Sequence, residues 1–415
     1  MIRLPSTEFS LWREAYTSSL YPRLSSEVEV DVAVIGAGIT GLSAAYLLKQ
    51  AGKTVAVMDK DTVGGGTTGR TTGKVTSQHD IIYSTLRKQM GDSAARIYGE
   101  ANQAALQQIE TIITDEQIDC DWQRADNYVY TTSADKVQTL KNEAAAAAKL
   151  GLPASYQMTT DLPFDTLAAV KFSNQAHFTA QKYLLGLAAA VHGNGSFVFE
   201  HTNAVGIQDG SPCHVKTPAG SIIAKDIIVA TNVPTLPLMA RGSYCALEYP
   251  SESYLIAAPY SGKLGGMYIS PDKHHYSILP TTFEGTPYLL IGGSGHLSGL
   301  RASKHWHYKQ LANYAEQQFG ISTISHMWSD RDYLSYDKVP LIGRLYPWSK
   351  HLYVGTAFKK WGLTGGTVAG MILTDLLADV PNPWASVFTT QRLRPVKYIP
   401  RAIMEQTNQL LKTYL

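Results

Sequence analysis

Three glycines and one acid carry the clearest chemistry in this chain. Gly36, Gly38 and Gly41 form a GxGxxG. The apolar run Val30 to Ile35 precedes them, and a second apolar run, Thr54 to Met58, ends in Asp59. An almost unbroken apolar run is what a parallel strand buried on both faces requires. Gly36 permits a tight turn, Gly38 lets a pyrophosphate approach the backbone, and Gly41 lets the following helix pack against the strand. That helix is expected over about residues 40–51 and closes on Ala51-Gly52. Asp59 follows the fingerprint by about 20 residues, where a carboxylate accepts ribose hydroxyls and argues against a 2′-phosphate. Strand, glycines, helix, strand and acid in this order read as a dinucleotide site, with Ile39, Thr40 and Lys60 beside the key positions.

The fingerprint is common to FAD and NAD, so the next loop matters. A plain NAD domain starts another helix within a few residues, whereas here Val63-Gly64-Gly65-Gly66 leads into TTGRTTG. Gly66, Thr67, Thr68, Thr71, Thr72 and Gly73 offer backbone N–H groups and hydroxyls at close range to a flat, polar group. Arg70 suits a phosphate or the polar edge of a flavin ring. A third glycine-rich piece, HLYVGTAFKKWGLTGG, reads as strand, turn and helix and contributes Gly355, Phe358, Gly362, Leu363 and Thr364. Its helix N-terminus would face an acceptor and favour the negative charge of a reduced flavin.

These pieces need a scaffold. The 415 residues leave room for two or three domains. A formal net charge of +2 gives no nucleic-acid face. Cys120, Cys213 and Cys245 are far apart, without CxxC or CxH. They argue against a disulfide framework, zinc or an iron–sulfur cluster in this chain, and read as buried apolar residues. His305 and His307 flank Trp306 on an expected helix; their rings point apart, so no metal site is expected. No run of about 20 apolar residues exists, so no membrane span is expected. The N-terminus lacks a signal-peptide stretch, which makes the cytoplasm the expected compartment.

The fold class expected is α/β: a discontinuous Rossmann-like FAD-binding domain plus an α+β substrate domain with a mixed or antiparallel sheet. DIIVATN (226–232) returns to the nucleotide sheet with Thr231 and Asn232 at its end, and Ala204 and Val205 lie in the strand pair before it. The expected division is an N-terminal extension (1–27), an FAD-binding domain (28–83, 165–240, 335–380), a substrate domain (84–164, 241–334) and a C-terminal helical tail or linker (381–415).

The chain resembles the D-amino-acid-oxidase-like superfamily of FAD oxidoreductases, which includes glycine oxidase and sarcosine oxidase. The resemblance rests on VAVIGAGITGLSAAYLL…VMDKD, on GGGTTGRTTG, and on D-x-x-P-x-I-G followed by GTAFKKWGLTGG. Within that group, LPSTEFSLWREAY, GRTTGKVTSQHDIIYSTL and IDCDWQRADNYVYT look like bacterial flavoproteins that carry a C-terminal Rieske iron–sulfur domain. The CxH and CxxH cluster ligands of that domain do not occur here.

The resemblance implies an amine or amino-acid substrate that loses a hydride to flavin N5, leaving an imine for water to hydrolyse. It implies oxygen or an iron–sulfur centre as the electron acceptor. A relay feeding a Rieske-type acceptor, or a non-catalytic FAD-binding protein, are the alternatives. It implies that Thr71, Thr72, Gly73 and Lys74 lie near the isoalloxazine, with Phe358, Lys359, Lys360 and Trp361 on the other approach. The sheet from 244 to 300 would cover the substrate, with Tyr254 and His296 as contacts, and Arg331 would hold a carboxylate. Some relatives attach FAD through a His or Cys of the glycine-rich loop, at a position near Gly69-Arg70 here. His79 lies beyond it at the start of a helix, so it is expected to cap or pack, and FAD to be held non-covalently.

Overall fold

Two sheets organise the chain, each dictated by a different residue pattern. The computed structural model describes residues 2–12, 16, 20–298 and 303–392. Most of the expected C-terminal tail, 393–415, lies outside the described residues.

The first sheet has the spatial order Leu341–Arg344, Leu352–Thr356, Ser221–Val229, Glu27–Ile35, Val55–Met58, Phe197–Phe199. Along this order all neighbours run parallel except Leu341–Arg344, and Cys213–Lys216 adds to Ser221–Val229 antiparallel. The apolar run of Glu27–Ile35 is continuous because both of its faces are covered. Val32 and Val34 join one buried cluster with the helices Ile39–Gln50, Ala180–Val191 and Gly362–Leu377. Ala33 and Ile35 join another, under the hairpin strands Gly206–Gln208 and Cys213–Lys216.

The second sheet is mixed, which decides between the two forms expected, mixed or antiparallel. Its order is His326–Ser335, Glu248–Pro259, Thr286–Leu297, Ser277–Phe283, Gly266–Ile269, Gln123–Thr131, Ala168–His177, Lys74–Val75, with Ala154–Gln157 also beside Ala168–His177. Only Gly266–Ile269 and Gln123–Thr131 pair in parallel. The helix Lys304–Phe319 covers one face through Tyr308, Leu311, Ala312 and Ala315.

Two placements depart from the expected division. Ala168–His177 falls in the second sheet although 165–240 was expected with the nucleotide pieces, and so does Lys74–Val75. The physical reason is pairing: Ala168–His177 docks along Gln123–Thr131, and Lys74 and Val75 pair with His177 and Ala176. The glycine-rich loop therefore crosses from one sheet to the other. Cys120 and Cys213 are buried, whereas Cys245 is exposed. It ends the short helix Leu238–Cys245, which buries only Ala240 and Tyr244.

Candidate functional site

The fingerprint forms a rigid cradle. Gly36 has φ +113°, and a Cβ there would lie 2.4 Å from Ala230 O. Helix Ile39–Gln50 starts at Gly38 without a side-chain cap, so its N-terminus is open to a ligand. Thr68 Oγ1 reaches back to accept from Ile39 N–H at 3.2 Å. Asp59 accepts the N–H of Ala37 at 2.8 Å and of Asp61 at 2.9 Å. Burial pushes its carboxyl up, and those two amides oppose the shift.

Two indoles pin the glycine-rich loop where it crosses. Trp12 Nε1 donates to Thr71 O at 3.0 Å and Trp328 Nε1 to Arg70 O at 2.8 Å. Thr67 Oγ1 donates to Arg331 O at 3.2 Å, and Arg70 pairs with Asp330 at 3.5 Å.

Between the sheets lies a cavity of about 810 Å³. Its lining includes Gly36, Gly38, Ile39, Thr40, Asp59 and Lys60 from the fingerprint, and Gly66, Thr67, Thr68, Arg70, Thr71, Thr72 and Lys74 from the loop. Ala204, Thr231, Asn232, Phe358, Trp361, Gly362 and Leu363 also line it. The same cavity holds Tyr254, His296, Arg331, Lys359 and Lys360. Helix Gly362–Leu377 likewise begins without a side-chain cap, so a second open N-terminus borders the cavity. A glycine cradle, a carboxylate after the second strand and two open helix N-termini fit the ADP half and ring of FAD.

Five expected cofactor residues do not line the cavity. Gly41 stands behind the cradle, where a Cβ would lie 1.9 Å from Gly36 O. Gly73 has φ +97° and lets the loop pass Phe178 O, 2.2 Å from where a Cβ would be. Gly355 is packed between Ala369 and Thr40, and Val205 turns to solvent at 53% exposure. Thr364 is buried, and its Oγ1 lies 3.0 Å from His79 Nε2. His79 is a packing residue: Nε2 lies 2.8 Å from Thr76 O, Tyr98 O–H lies 2.6 Å from Nδ1, and its ring stacks on Trp361. Burial pushes it down to about 3, so it stays neutral.

The residues that sequence reasoning missed are acids. Asp330 and Asp332 line the cavity on either side of Arg331, and Asp80 joins them. Asp330 Oδ2 and Asp80 Oδ1 are buried without a hydrogen-bond partner. Burial raises Asp330, and lifts Asp332 to about 6. The one available signal was the i, i+2 spacing of two aspartates on a strand, which puts both on one face. Facing them, Ala357, Lys359 and Lys360 have φ of 63°, 54° and 67°. Such left-handed non-glycine residues are strained and cluster at functional sites. The turn carries two lysines into the cavity. Burial pushes Lys359 down to about 8 and Lys360 down as well. Lys74 donates to Tyr268 O at 2.6 Å and Ser277 Oγ at 2.8 Å, and burial pushes it down to about 7.

Among the described residues, no cluster of His, Cys, Asp and Glu could hold a metal ion, and no helix is long and apolar enough to cross a membrane. The chain is 35% identical to a Bacillus subtilis (strain 168) protein named as a Rieske 2Fe-2S iron-sulfur protein, YhfW, over 92% of this chain and 75% of that protein. It is 25% identical to gamma-glutamylputrescine oxidoreductase of Escherichia coli (strain K12), over 86% of this chain and 85% of that one. Its fold superposes on glycine oxidase from Geobacillus kaustophilus with a TM-score of 0.74 at 18% identity, covering 88% and 99% of the two chains. The family described as FAD dependent oxidoreductase (DAO) matches residues 31–376, and the chain belongs to that family.

Proposed function

We propose that this FAD-dependent oxidoreductase oxidises the C–N bond of a small amine or amino acid. One observation carries the reading. The nucleotide cradle and a polar compartment walled by the second sheet share one cavity, so a bound flavin and a small ligand would meet inside it. Relatives named for glycine and for gamma-glutamylputrescine support the choice of substrate class.

FAD, when bound, supplies the two-electron acceptor. The chain's own residues do the rest. Gly36, Gly38 and the start of Ile39–Gln50 hold pyrophosphate, and Asp59 holds ribose hydroxyls. A substrate amine loses its α-hydrogen as hydride only when its nitrogen lone pair is free. Lys359, which burial pushes down to about 8, serves as the group that takes the ammonium proton. Tyr254 and His296 contact the substrate, and Arg331, exposed at the cavity edge, meets a substrate carboxylate. The imine that forms takes up water and releases a carbonyl compound and an amine.

A second reading concerns only the electron acceptor. The 35% identity to a protein named for a Rieske cluster favours an iron–sulfur acceptor over oxygen. FAD is held non-covalently in both readings.

The visible absorption spectrum of the purified protein, followed by acid precipitation, tests this. Flavin bands with yellow released into the supernatant are expected, with bleaching by an amine or amino acid. Yellow retained in the pellet overturns non-covalent binding. Flavin that dithionite bleaches but no amine does overturns the substrate class. Bleaching by an amine without oxygen uptake selects the iron–sulfur acceptor.

A further inference from the structure

The N-terminal segment reaches the cofactor loop from behind. Phe9 N–H donates to Met327 O at 2.8 Å, which joins the segment to the edge strand His326–Ser335. Leu11 and Trp12 then enter a buried cluster with Leu255, Met267, Leu279 and Trp328. Trp12 is 1% exposed and does not line the cavity. Its Nε1–H meets Thr71 O at 3.0 Å, where the glycine-rich loop borders the cavity.

A trans peptide unit is planar, so its C=O and N–H point in opposite directions. Thr71 O and Thr72 N–H belong to one such unit. Trp12 holds the carbonyl behind the loop, so the N–H points forward, to the side on which Thr71 and Thr72 line the cavity. Among the described residues, none accepts it. The preceding unit differs. Trp328 Nε1–H holds Arg70 O at 2.8 Å, but the N–H of that unit, on Thr71, already donates to Thr68 O at 3.3 Å.

The place of Thr72 on the loop says what its N–H meets. Thr68 sits at the cradle, with Oγ1 on Ile39 N–H at 3.2 Å. Thr72 lies four residues further on, beside Lys74, which pairs into the second sheet. FAD whose ADP half fills the cradle reaches along this loop with its ring end. We propose that Trp12 is a positioning residue that aims Thr72 N–H at the flavin ring and so raises the flavin's reduction potential. Reduction brings negative charge to the ring, and a fixed N–H donor stabilises that form more than the oxidised one. A peptide unit free to rotate loses the difference. The inference rests on the proposed function only in that FAD occupies this cavity.

The test is the midpoint potential of the FAD-loaded protein, read by dye-coupled reductive titration without substrate. Trp12→Phe keeps an aromatic ring and loses the N–H donor. Its reduced flavin is expected to lose about tenfold in affinity relative to oxidised flavin, which lowers the potential by about 30 mV. Trp328→Phe is the matched control. It too takes an indole N–H from a loop carbonyl, and the two indoles are 1% and 3% exposed, so a similar loss of stability is expected. Its potential should equal the parent's, because the N–H behind Arg70 O is held by Thr68 O. Thr72→Pro removes the donor itself. Thr71 has ψ 163°, the extended conformation that a residue before proline adopts. Thr72→Pro should match Trp12→Phe, and the double variant should fall no lower than either. Equal shifts in Trp12→Phe and Trp328→Phe overturn the proposal, since a loosened loop would then be the cause. The parent's potential in Trp12→Phe or in Thr72→Pro overturns it as well. If Trp12→Phe takes up no FAD, Thr72→Pro decides: a lowered potential bears the proposal out and the parent's value overturns it. Failure of every amine to bleach the flavin sinks the substrate class and leaves these potentials measurable.

Discussion

Replacing Gly41 by alanine tests whether the cradle is as tightly built as its distances say. The added Cβ would sit 1.9 Å from Gly36 O and 3.1 Å from Val34 Cγ1. Real Cβ atoms keep at least 3.0 Å, so the helix start must lift by about 1.1 Å. Gly36 O is backbone and cannot rotate aside. Nor can the helix move freely away, because Gly366 and Gly370 of Gly362–Leu377 press on it. A Cβ on either would lie 2.8 Å from Ile39 Cγ2 or 2.9 Å from Ala44 N. With no slack on either side, the cost falls at the upper end for overpacking, about 3 kcal/mol. The lift also pulls Ile39 N–H from Thr68 Oγ1 and displaces Gly38, so FAD affinity drops at least tenfold, roughly one lost hydrogen bond to a charged group. Urea unfolding of the flavin-free protein and an FAD titration measure the two effects. Gly52→Ala is the control. Gly52 has φ +80° with nothing within 4 Å of its Cβ position, so it carries backbone strain alone, about 1 kcal/mol, and leaves FAD affinity intact. If Gly41→Ala matches the parent in both measurements, or loses no more than Gly52→Ala, the steric reasoning is wrong.

Two further predictions use buried charge. Thr356 Oγ1 is within hydrogen-bond distance of both Asn232 O and Glu248 Oε2, yet it has one hydrogen and the carbonyl can only accept. Glu248 must supply the second proton, which agrees with burial lifting its carboxyl from 4.5 to about 8. Its stabilising contribution is therefore full below about pH 4.5 and is lost as pH rises through about 8. Glu248→Gln puts a pH-independent amide donor in place of the acid O–H and should gain stability over the parent as pH rises from about 6 to about 9; parallel stability curves would rule this out. Separately, Arg392 grips Asp337 at 2.7 and 3.0 Å, with only 7% and 1% of the two side chains exposed. Arg392→Met removes the charged partner of the buried carboxylate, leaving it only the Val339 N–H at 3.3 Å, and should cost about 3–5 kcal/mol in denaturant unfolding; a loss below about 1 kcal/mol would show that the pair contributes little.

Local chemistry made the nucleotide half legible. Strand, glycine turn, helix and acid occur within one short stretch, and each residue type there has a backbone reason that needs no distant partner. The third glycine-rich piece was readable for the same reason. What the glycines do individually was less legible: Gly41 packs the helix on the strand as its spacing says, but Gly73 and Gly355 are spaced like ligand contacts and instead relieve collisions with Phe178 O and Ala369. Sequence spacing reports that a side chain is absent, not which neighbour forbids it.

The sequence by itself determined the dinucleotide fingerprint, the family resemblance and the presence of a second, strand-rich sheet. Only the tertiary structure decided that Lys74–Val75 and Ala168–His177 belong to that sheet, and that Asp80, Asp330 and Asp332 share a cavity with Lys74, Lys359 and Lys360. It alone decided that His79 faces Tyr98 and Trp361 rather than the cavity. The reason is range. A turn or a helix start is set by interactions within a few residues. The polarity of a pocket depends on which distant strands pair, and pairing register decides which side of each strand faces inward.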